Sequence, residues 1–307
     1  MQKTADKKIK VVVTGGAGFI GSHLTDALVA KGYDAHIIDN LFGGRKENIN
    51  PKATFHKRDI RNFEDIAPIF IGAQFVFHTA ALPRVVPSIK DPRGTHDVNV
   101  TGTLNVLLAA RDAKVKRVVY SASSSAYGDH ETLPLKEDFP VRPMHPYGLQ
   151  KYMGEQLAQL FFSLYGLQTI SLRYFNVYGE RAPLEGAYAQ AIGRFLKQRM
   201  EDKPLTIVPD GKQSRDFTHV RDVVRANILA ALSHEAKGSE VINIGGGKNY
   251  TVLEIAEMIG GPQVFIEPRT EAKHSLADIT KAKELLGWEP TITLPEAISE
   301  LKKGLNL

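Results

Sequence analysis

A doubly wound parallel α/β sheet followed by a smaller α/β domain is what this sequence of 307 residues predicts. Three observations carry that expectation. Short β-branched runs alternate with helix-period stretches through the first half, a glycine-rich turn joins the first run to the first helix, and after Phe175 the alternation loosens into Gly, Pro and charge.

The predicted strands are Ile9 to Thr14, Ala35 to Ile38, Ala53 to His56, Phe75 to His78, Arg117 to Ser121 and Thr169 to Arg173. Between them, Ile20, Leu24, Ala27 and Leu28, or Leu104, Leu107, Leu108 and Arg111, recur at helical spacing. Strict alternation implies right-handed parallel crossovers, which place ligands beyond the strand C-termini. A strand-like Glu240 to Ile244 follows later, and the stretch from Thr251 mixes two helical patterns with short strands. The expected division is residues 1–176, with returns of the chain around 218–244, for the sheet domain, and 177–217 with 245–307 for the smaller one.

Composition narrows the chemistry. With no cysteine there is no disulfide framework, thiolate metal site or cysteine nucleophile, and no metal centre is expected. The net charge of +5 is spread along the chain rather than gathered into a basic stripe, which argues against nucleic acid and suits an anionic small substrate. No apolar run reaches bilayer length, and Met1 to Lys10 lacks the apolar stretch of a secretory signal, so a cytoplasmic protein with no membrane partner is expected.

Directly after the first predicted strand stands Gly15-Gly16-Ala17-Gly18-Phe19-Ile20-Gly21. Glycines at 15, 18 and 21 let a backbone turn tightly, approach a pyrophosphate and pack helix on strand, while the helix start offers N–H donors. Asp39 closes the second strand near the offset expected for an acid that binds a ribose 2′-hydroxyl. A carboxylate there favours NAD over NADP, although Arg45 could offset the repulsion of a 2′-phosphate. Asp59 and Ile60 end the third strand, and Ala80 and Ala81 follow the fourth, positions where a dinucleotide lies in such a sheet. By themselves the acid reads equally as a helix cap and the alanines as packing residues. Asn99, on the next helix, is a candidate for holding a loop backbone or a water.

Pro146 starts a helix in which Tyr147 and Lys151 share one face, with Met153, Leu157, Leu160 and Leu164 as its expected buried stripe. A phenol near pKa 10 is a poor base at neutral pH, and a neighbouring ammonium would favour phenolate. The run Ser121-Ala122-Ser123-Ser124-Ser125-Ala126-Tyr127-Gly128 follows the fifth strand into the same crevice, where hydroxyls can hold a substrate alcohol or merely cap a helix.

With these motifs in one order the chain resembles the extended short-chain dehydrogenases, and among them the UDP-glucose and UDP-N-acetylglucosamine 4-epimerases. The likeness also takes in Asp39-Asn40, Asp59-Ile60-Arg61, Leu172 to Gly179, Ser214-Arg215-Asp216-Phe217 and Leu286-Gly287-Trp288-Glu289-Pro290. It implies a Rossmann domain holding NAD through Gly15, Gly18, Phe19, Ile20, Gly21, Asp39, Asn40, Asp59, Ile60, Ala80, Ala81, Asn99 and Tyr174, together with Tyr147 and Lys151. It implies Ser123 as the catalytic hydroxyl and Ser124 and Ser125 along the sugar. Asn176 would bind the nucleotide sugar, Arg215 and Arg269 its diphosphate, with Arg84 joining them and Tyr188 on the substrate-facing loop. Either arginine of that pair could instead be a surface ion pair. Ser275 would stand beside the C2 substituent, where a small side chain leaves room for an N-acetyl group. The segment Arg269 to Lys273 departs from the family by lacking Gly-Asp, with Glu271 a candidate for the ribose acid.

The implied reaction begins with Tyr147 taking the O4 proton while C4 hydride passes to NAD; the 4-keto sugar then turns about its diphosphate and is reduced on the other face. Related dehydratases and decarboxylases carry acids where this chain has Ser124 and Ser125, which leaves re-reduction as the onward step. A UDP-glucuronate 4-epimerase or another NDP-sugar epimerase shares the same motifs, and an NAD-sensing scaffold is the non-enzyme alternative. A homodimer joined through Thr95 to Ala113 and Met153 to Leu164 is expected on the same resemblance.

Overall fold

The structure, a computed structural model, describes residues 8–83, 85–184, 191–267 and 273–307. Strands β1 (Lys10–Thr14), β2 (Asp34–Asp39), β3 (Thr54–Lys57), β4 (Phe75–His78), β5 (Arg117–Ser123) and β6 (Gln168–Tyr174) join Ser239–Ile244 in one sheet. Its order runs from Ser239–Ile244 through β6, β5, β4, β1 and β2 to β3, with every neighbouring pair parallel. The strand order reverses between β1 and β4, the place where ligands bind beyond the C-terminal ends in sheets of this kind.

Helices α1 (Phe19–Ala30), α2 (Phe63–Phe70), α3 (Val85–Lys90), α4 (Pro92–His96), α5 (Gly102–Asp112) and α6 (Pro146–Tyr165) fall in the first half. The run of valines in β1 is apolar throughout because both faces are covered. Val11 and Val13 pack with Leu24 and Leu28 of α1, while Val12 packs with Ile66, Phe70 and Val106 of α2 and α5. Each such fully buried side chain contributes about 1.5–3 kcal/mol.

Helix Val220–Leu232 lies on the α1 face, and the chain returns there once more. Ala282, Leu286 and Trp288 belong to the same core, Trp288 Nε1 donates to the Asp222 carbonyl at 3.0 Å, and the Asp222 carboxylate receives the N–H groups of Thr291 and Ile292. Helix Thr280–Leu286 is thus packed with the sheet-side core. Leu-Gly-Trp-Glu-Pro carries a large indole whose only polar atom has a partner on the sheet side, and burial of that ring decides the docking.

A separate cluster of Ile192, Phe195, Leu205, Ile207, Phe217, Ile255, Leu294 and Ile298 makes the core of the smaller part. Its helices Val252–Ile259 and Leu294–Gly304 begin with reciprocal caps, Thr251 with Glu254 and Thr293 with Glu296.

Helix α6 corrects one sequence expectation. Leu160 and Leu164 are exposed, and the buried positions are Gly148, Gln150, Lys151, Gly154, Glu155, Ala158 and Phe161. Leu157 packs against the core, but the outer half of the apolar stripe does not, because Gln150, Lys151 and Glu155 take part of the inward face and find partners inside. Among the described residues no helix is long and apolar enough to cross a membrane.

Candidate active site

The glycine turn lies between β1 and α1, at the reversal of strand order. Gly15 has φ +72°, and a Cβ there would stand 2.7 Å from both N and Cα of Ala80. One on Gly21 would stand 2.2 Å from the Gly15 carbonyl oxygen and 2.7 Å from Thr79 Oγ1. The turn is thus pressed onto the end of β4, and α1 onto the turn. Gly18 caps α1 without a side-chain bond, which leaves the helix start, with Phe19 and Ile20 in its first turn, as a cradle for an anion.

Asp39 ends β2 and is nearly buried. Its carboxylate accepts the N–H groups of Ala17 at 3.0 Å and Leu41 at 2.8 Å, so it clamps the glycine turn to its own loop. Burial raises its pKa against those two bonds. Asn40 donates to Asp59 Oδ2 at 2.9 Å, and Asp59 also takes a two-pronged contact from Arg61, whose hydrogen bonds hold its pKa down to about 2. Ile60 is buried against Gly102 of α5.

Asn99 holds the backbone of the loop after β4. Its Oδ1 accepts the Leu82 N–H at 2.8 Å, and its Nδ2 donates to the Leu82 carbonyl at 3.0 Å and to Gln150 Oε1 at 2.8 Å. Gln150 in turn donates to Thr95 Oγ1. The loop after β4, the Asp97–Thr101 turn and α6 are knitted by one amide pair.

Behind the same loop lies a group that sequence reading missed. His78 is fully buried, with Nδ1 2.7 Å from Thr14 Oγ1 and Nε2 2.9 Å from Thr103 Oγ1. Thr103 spends its proton on the Asn99 carbonyl at 2.6 Å, so it can only accept from Nε2–H, and Nδ1 must accept from Thr14. Thr14 Oγ1 accepts the Ala80 N–H at 3.3 Å. Burial, with the Lys151 amine adding to it, pulls the imidazole pKa down to about 3.

His145 caps α6 by accepting the Gly148 N–H at 3.1 Å, and its ring stacks on Tyr147 with centroids 6.3 Å apart. The Tyr147 N–H donates to Ser88 Oγ of α3 at 3.1 Å. Ser123 ends β5 and accepts the Ser125 N–H at 3.2 Å, opening the short turn Ser124–Ala126. That turn meets α6 so closely that a Cβ on Gly148 would lie 2.5 Å from the Ser125 carbonyl oxygen. The turn that follows Ser123 and the helix start that carries Tyr147 are thus packed together. Ser121 is bonded to the Tyr174 phenol at 3.1 Å; Tyr174 is buried and also bonds Asn227, so its hydroxyl faces the core.

Lys151 is 3% exposed, with Nζ 4.3 Å from the centroid of the Tyr120 ring. Burial lowers its pKa to about 7, and Glu155, one turn along, works against that fall. Glu155 pairs with Arg173 through contacts of 3.0 and 2.7 Å, both side chains almost wholly buried.

Asn176 sits after β6 with φ +31° and donates to the Asp216 carbonyl at 2.8 Å. Arg215 donates to the carbonyls of Ser214 and Lys273. Ser275 Oγ stands 3.5 Å from the Asp216 N–H. Arg84, Tyr188, Arg269 and Glu271 lie outside the described residues. Among the described residues, no group of three or more His, Asp or Glu side chains is arranged to hold a metal ion.

A glycine turn at the strand-order reversal, with a serine-bearing turn after β5 packed on the helix that carries Tyr147 and Lys151, is the arrangement of the short-chain dehydrogenase/reductase class. The chain belongs to the NAD dependent epimerase/dehydratase family, whose profile matches residues 11–245. It is similar to a UDP-glucose 4-epimerase of Lactobacillus helveticus, 36% identical with 92% of each chain covered. A UDP-glucuronate 4-epimerase of Thermodesulfobacterium geofontis is 36% identical, covering 96% of this chain and 94% of that one. A UDP-glucuronic acid decarboxylase of Arabidopsis thaliana is 34% identical over 96% of this chain and 69% of its own. Among solved structures, the UDP-glucose 4-epimerase of Thermotoga maritima with UDP-glucose superposes with a TM-score of 0.91 at 36% identity, covering 97% of this chain and 100% of that one.

Proposed function

We propose that this chain is an NAD-dependent UDP-hexose 4-epimerase acting on UDP-glucose and UDP-galactose, and also on the 2-N-acetyl sugars. The observation that supports the reading is the clasp of the Ser124–Ala126 turn against the start of α6, which packs the segment that follows Ser123 onto the helix start that bears Tyr147. The glycine turn suits a dinucleotide, since the absence of side chains at 15 and 21 lets it close onto the end of β4 and onto α1, and the first turn of α1 offers its N–H groups. Gly15, Gly18, Phe19, Ile20 and Gly21 would hold the pyrophosphate, Asp39 a ribose, Asn40, Asp59 and Ile60 the adenine side, and Ala80 and Ala81 the close approach, with Asn99 fixing the loop behind them. NAD, when bound, supplies a reversible hydride acceptor for a carbinol carbon.

Tyr147 takes the proton from O4 and later returns it, with Ser123 Oγ holding the same oxygen and the Lys151 ammonium favouring phenolate. Asn176, Arg215 and Arg269 would anchor the nucleotide diphosphate while the hexose turns to present its other face. Neither position 124 nor 125 carries an acid to drive elimination or loss of a carboxylate, which disfavours the chemistry of the decarboxylase relatives. Ser275 is small enough beside C2 for an N-acetyl group. Residues 1–176 with the 218–244 return form the cofactor side, extended by helix Thr280–Leu286, and the remainder forms the substrate side. The half-exposed Leu160 and Leu164 of α6, beside Tyr165 against Arg111 of α5, suit a homodimer face, and the protein is read as cytoplasmic.

The test is incubation of purified protein with individual UDP-sugars and identification of products by NMR. Interconversion of UDP-glucose and UDP-galactose, and of UDP-GlcNAc and UDP-GalNAc, is expected. Turnover of UDP-glucuronate alone would move the assignment to the uronic sugar, and no turnover of any would leave the scaffold reading.

A further inference from the structure

We propose that Asp216 is a positioning residue for the nucleotide-sugar pocket, drawing together three chain segments that carry the pocket's side chains. The proposal rests on the nucleotide-sugar reading above. Asp216 ends the strand Ser214–Asp216, next to Arg215, and is completely buried. Its Oδ2 accepts the Ala277 N–H at 3.0 Å and its Oδ1 the Gly246 N–H at 2.5 Å, while its carbonyl accepts Asn176 Nδ2 at 2.8 Å. One residue therefore ties the segment bearing Ser275, the glycine turn after Ser239–Ile244, and Asn176. The approach is tight: a Cβ on Gly245 would lie 2.6 Å from Oδ2 and 2.3 Å from the Ala277 Cβ.

A buried carboxylate held by backbone N–H groups is a costly tie, because charge is taken from water without a full counter-charge. An ionised acid nevertheless gathers several N–H groups at one point, which neither a leucine nor an amide does. Burial pushes the pKa up to about 6, against the N–H bonds of Ala277, Gly246 and Gly247. The titratable side chains on the packed elements are Arg215 on its own strand, Lys248 and Tyr250 around the facing strand, Lys273, His274 and Asp278 on the third segment, and Tyr174 and Tyr178 on either side of Asn176, whose phenol pKa values burial raises further from this range. Arg215 turns to the Ser214 and Lys273 carbonyls, His274 to Ser214 Oγ, and Asp278 to the Thr280 N–H. On protonation Asp216 loses acceptor strength, and the wall segments are no longer held in register. Charge alone would act oppositely: removing a negative group near an anionic diphosphate should tighten binding.

The experiment is calorimetric titration of the NAD-bearing protein with UDP-glucose, a diphosphate diester that gains no proton over this range, at about pH 7.5 and about pH 5. The wild type should bind about tenfold more weakly at the lower pH, and Asp216→Asn should bind at least about tenfold more weakly at the higher pH with no further fall. NAD content and near-UV circular dichroism should stay unchanged in both, and His274→Gln should behave as the wild type. If Asp216→Asn fails to fold, the acid weakening in wild type and His274→Gln decides. Binding that is level or tighter at the lower pH, or an Asp216→Asn protein with wild-type affinity, overturns the proposal. Absence of wild-type binding at about pH 7.5 would sink the nucleotide-sugar reading and this inference with it.

Discussion

Glu155→Leu removes the partner of a guanidinium that β6 holds inside the protein. Arg173 meets Glu155 through two contacts, 3.0 and 2.7 Å, with 3% and 1% of the two side chains exposed. Its other described contacts are the Glu137 carbonyl at 3.3 Å and the Tyr127 ring, 4.5 Å to the centroid, neither of which carries opposing charge. Two charge-assisted bonds and an uncompensated buried cation together amount to about 3–5 kcal/mol of lost stability. That is a large share of the roughly 5–15 kcal/mol that a folded domain has in total. Replacing both members, as Glu155→Leu with Arg173→Met, also removes the desolvation cost and should return to within about 1 kcal/mol of wild type. Urea unfolding followed by Trp288 fluorescence and far-UV circular dichroism measures this, since the single tryptophan is fully buried in the α1-side core. A single variant within about 1 kcal/mol of wild type, or a double variant no better than the single, would refute the reasoning.

Tyr147→Phe should lower turnover by about 10²–10⁴-fold while leaving NAD content and Tm unchanged; unchanged turnover removes the phenol from the mechanism. Gly21→Ala forces a Cβ to within 2.2 Å of the Gly15 carbonyl oxygen, so the purified variant should carry little NAD, measured by absorbance after denaturation. Because burial brings Lys151 to about 7, kcat/KM should fall as pH rises through that value and the ammonium is lost. Glu155→Gln removes the carboxylate that opposes the fall and should move that limb to lower pH; a limb that stays put counts against Lys151 as its source. The native value of Lys151 also lies below that of an unfolded lysine, so the unfolded chain binds more protons between about pH 7 and 10 and stability rises with pH across that window. Below it the cost of the buried charge is fully present, and Lys151→Met should raise Tm near pH 6 while abolishing turnover.

The sheet was legible because its strands are short β-branched runs buried on both faces, and each of the expected strands in the first half lies within a residue or two of its place. The glycine turn was legible for a steric reason, since close approach to Ala80 and Thr79 excludes any side chain. Polar burial was not legible. His78 looks like any residue in an apolar strand, and only the fold brings Thr14 and Thr103 to its two nitrogens. The stripe of α6 misled for the same reason: Gln150, Lys151 and Glu155 read as solvent-facing until Asn99, Tyr120 and Arg173 arrive from elsewhere in the chain. Asp216 stood in a quoted motif, but nothing in its neighbours along the sequence announces the N–H groups of residues 246 and 277.

His78 has one further bearing on any acid titration of this protein. With Thr103 already committed to a carbonyl and Thr14 delivering its hydrogen to Nδ1, the ring has a single permitted tautomer and no vacant lone pair. A second proton could enter only by turning the Thr14 hydroxyl away, which would disturb the Ala80 amide it receives. This imidazole therefore stays electrically silent under mild acidification, and a change in ligand affinity near pH 6 must originate in some other group.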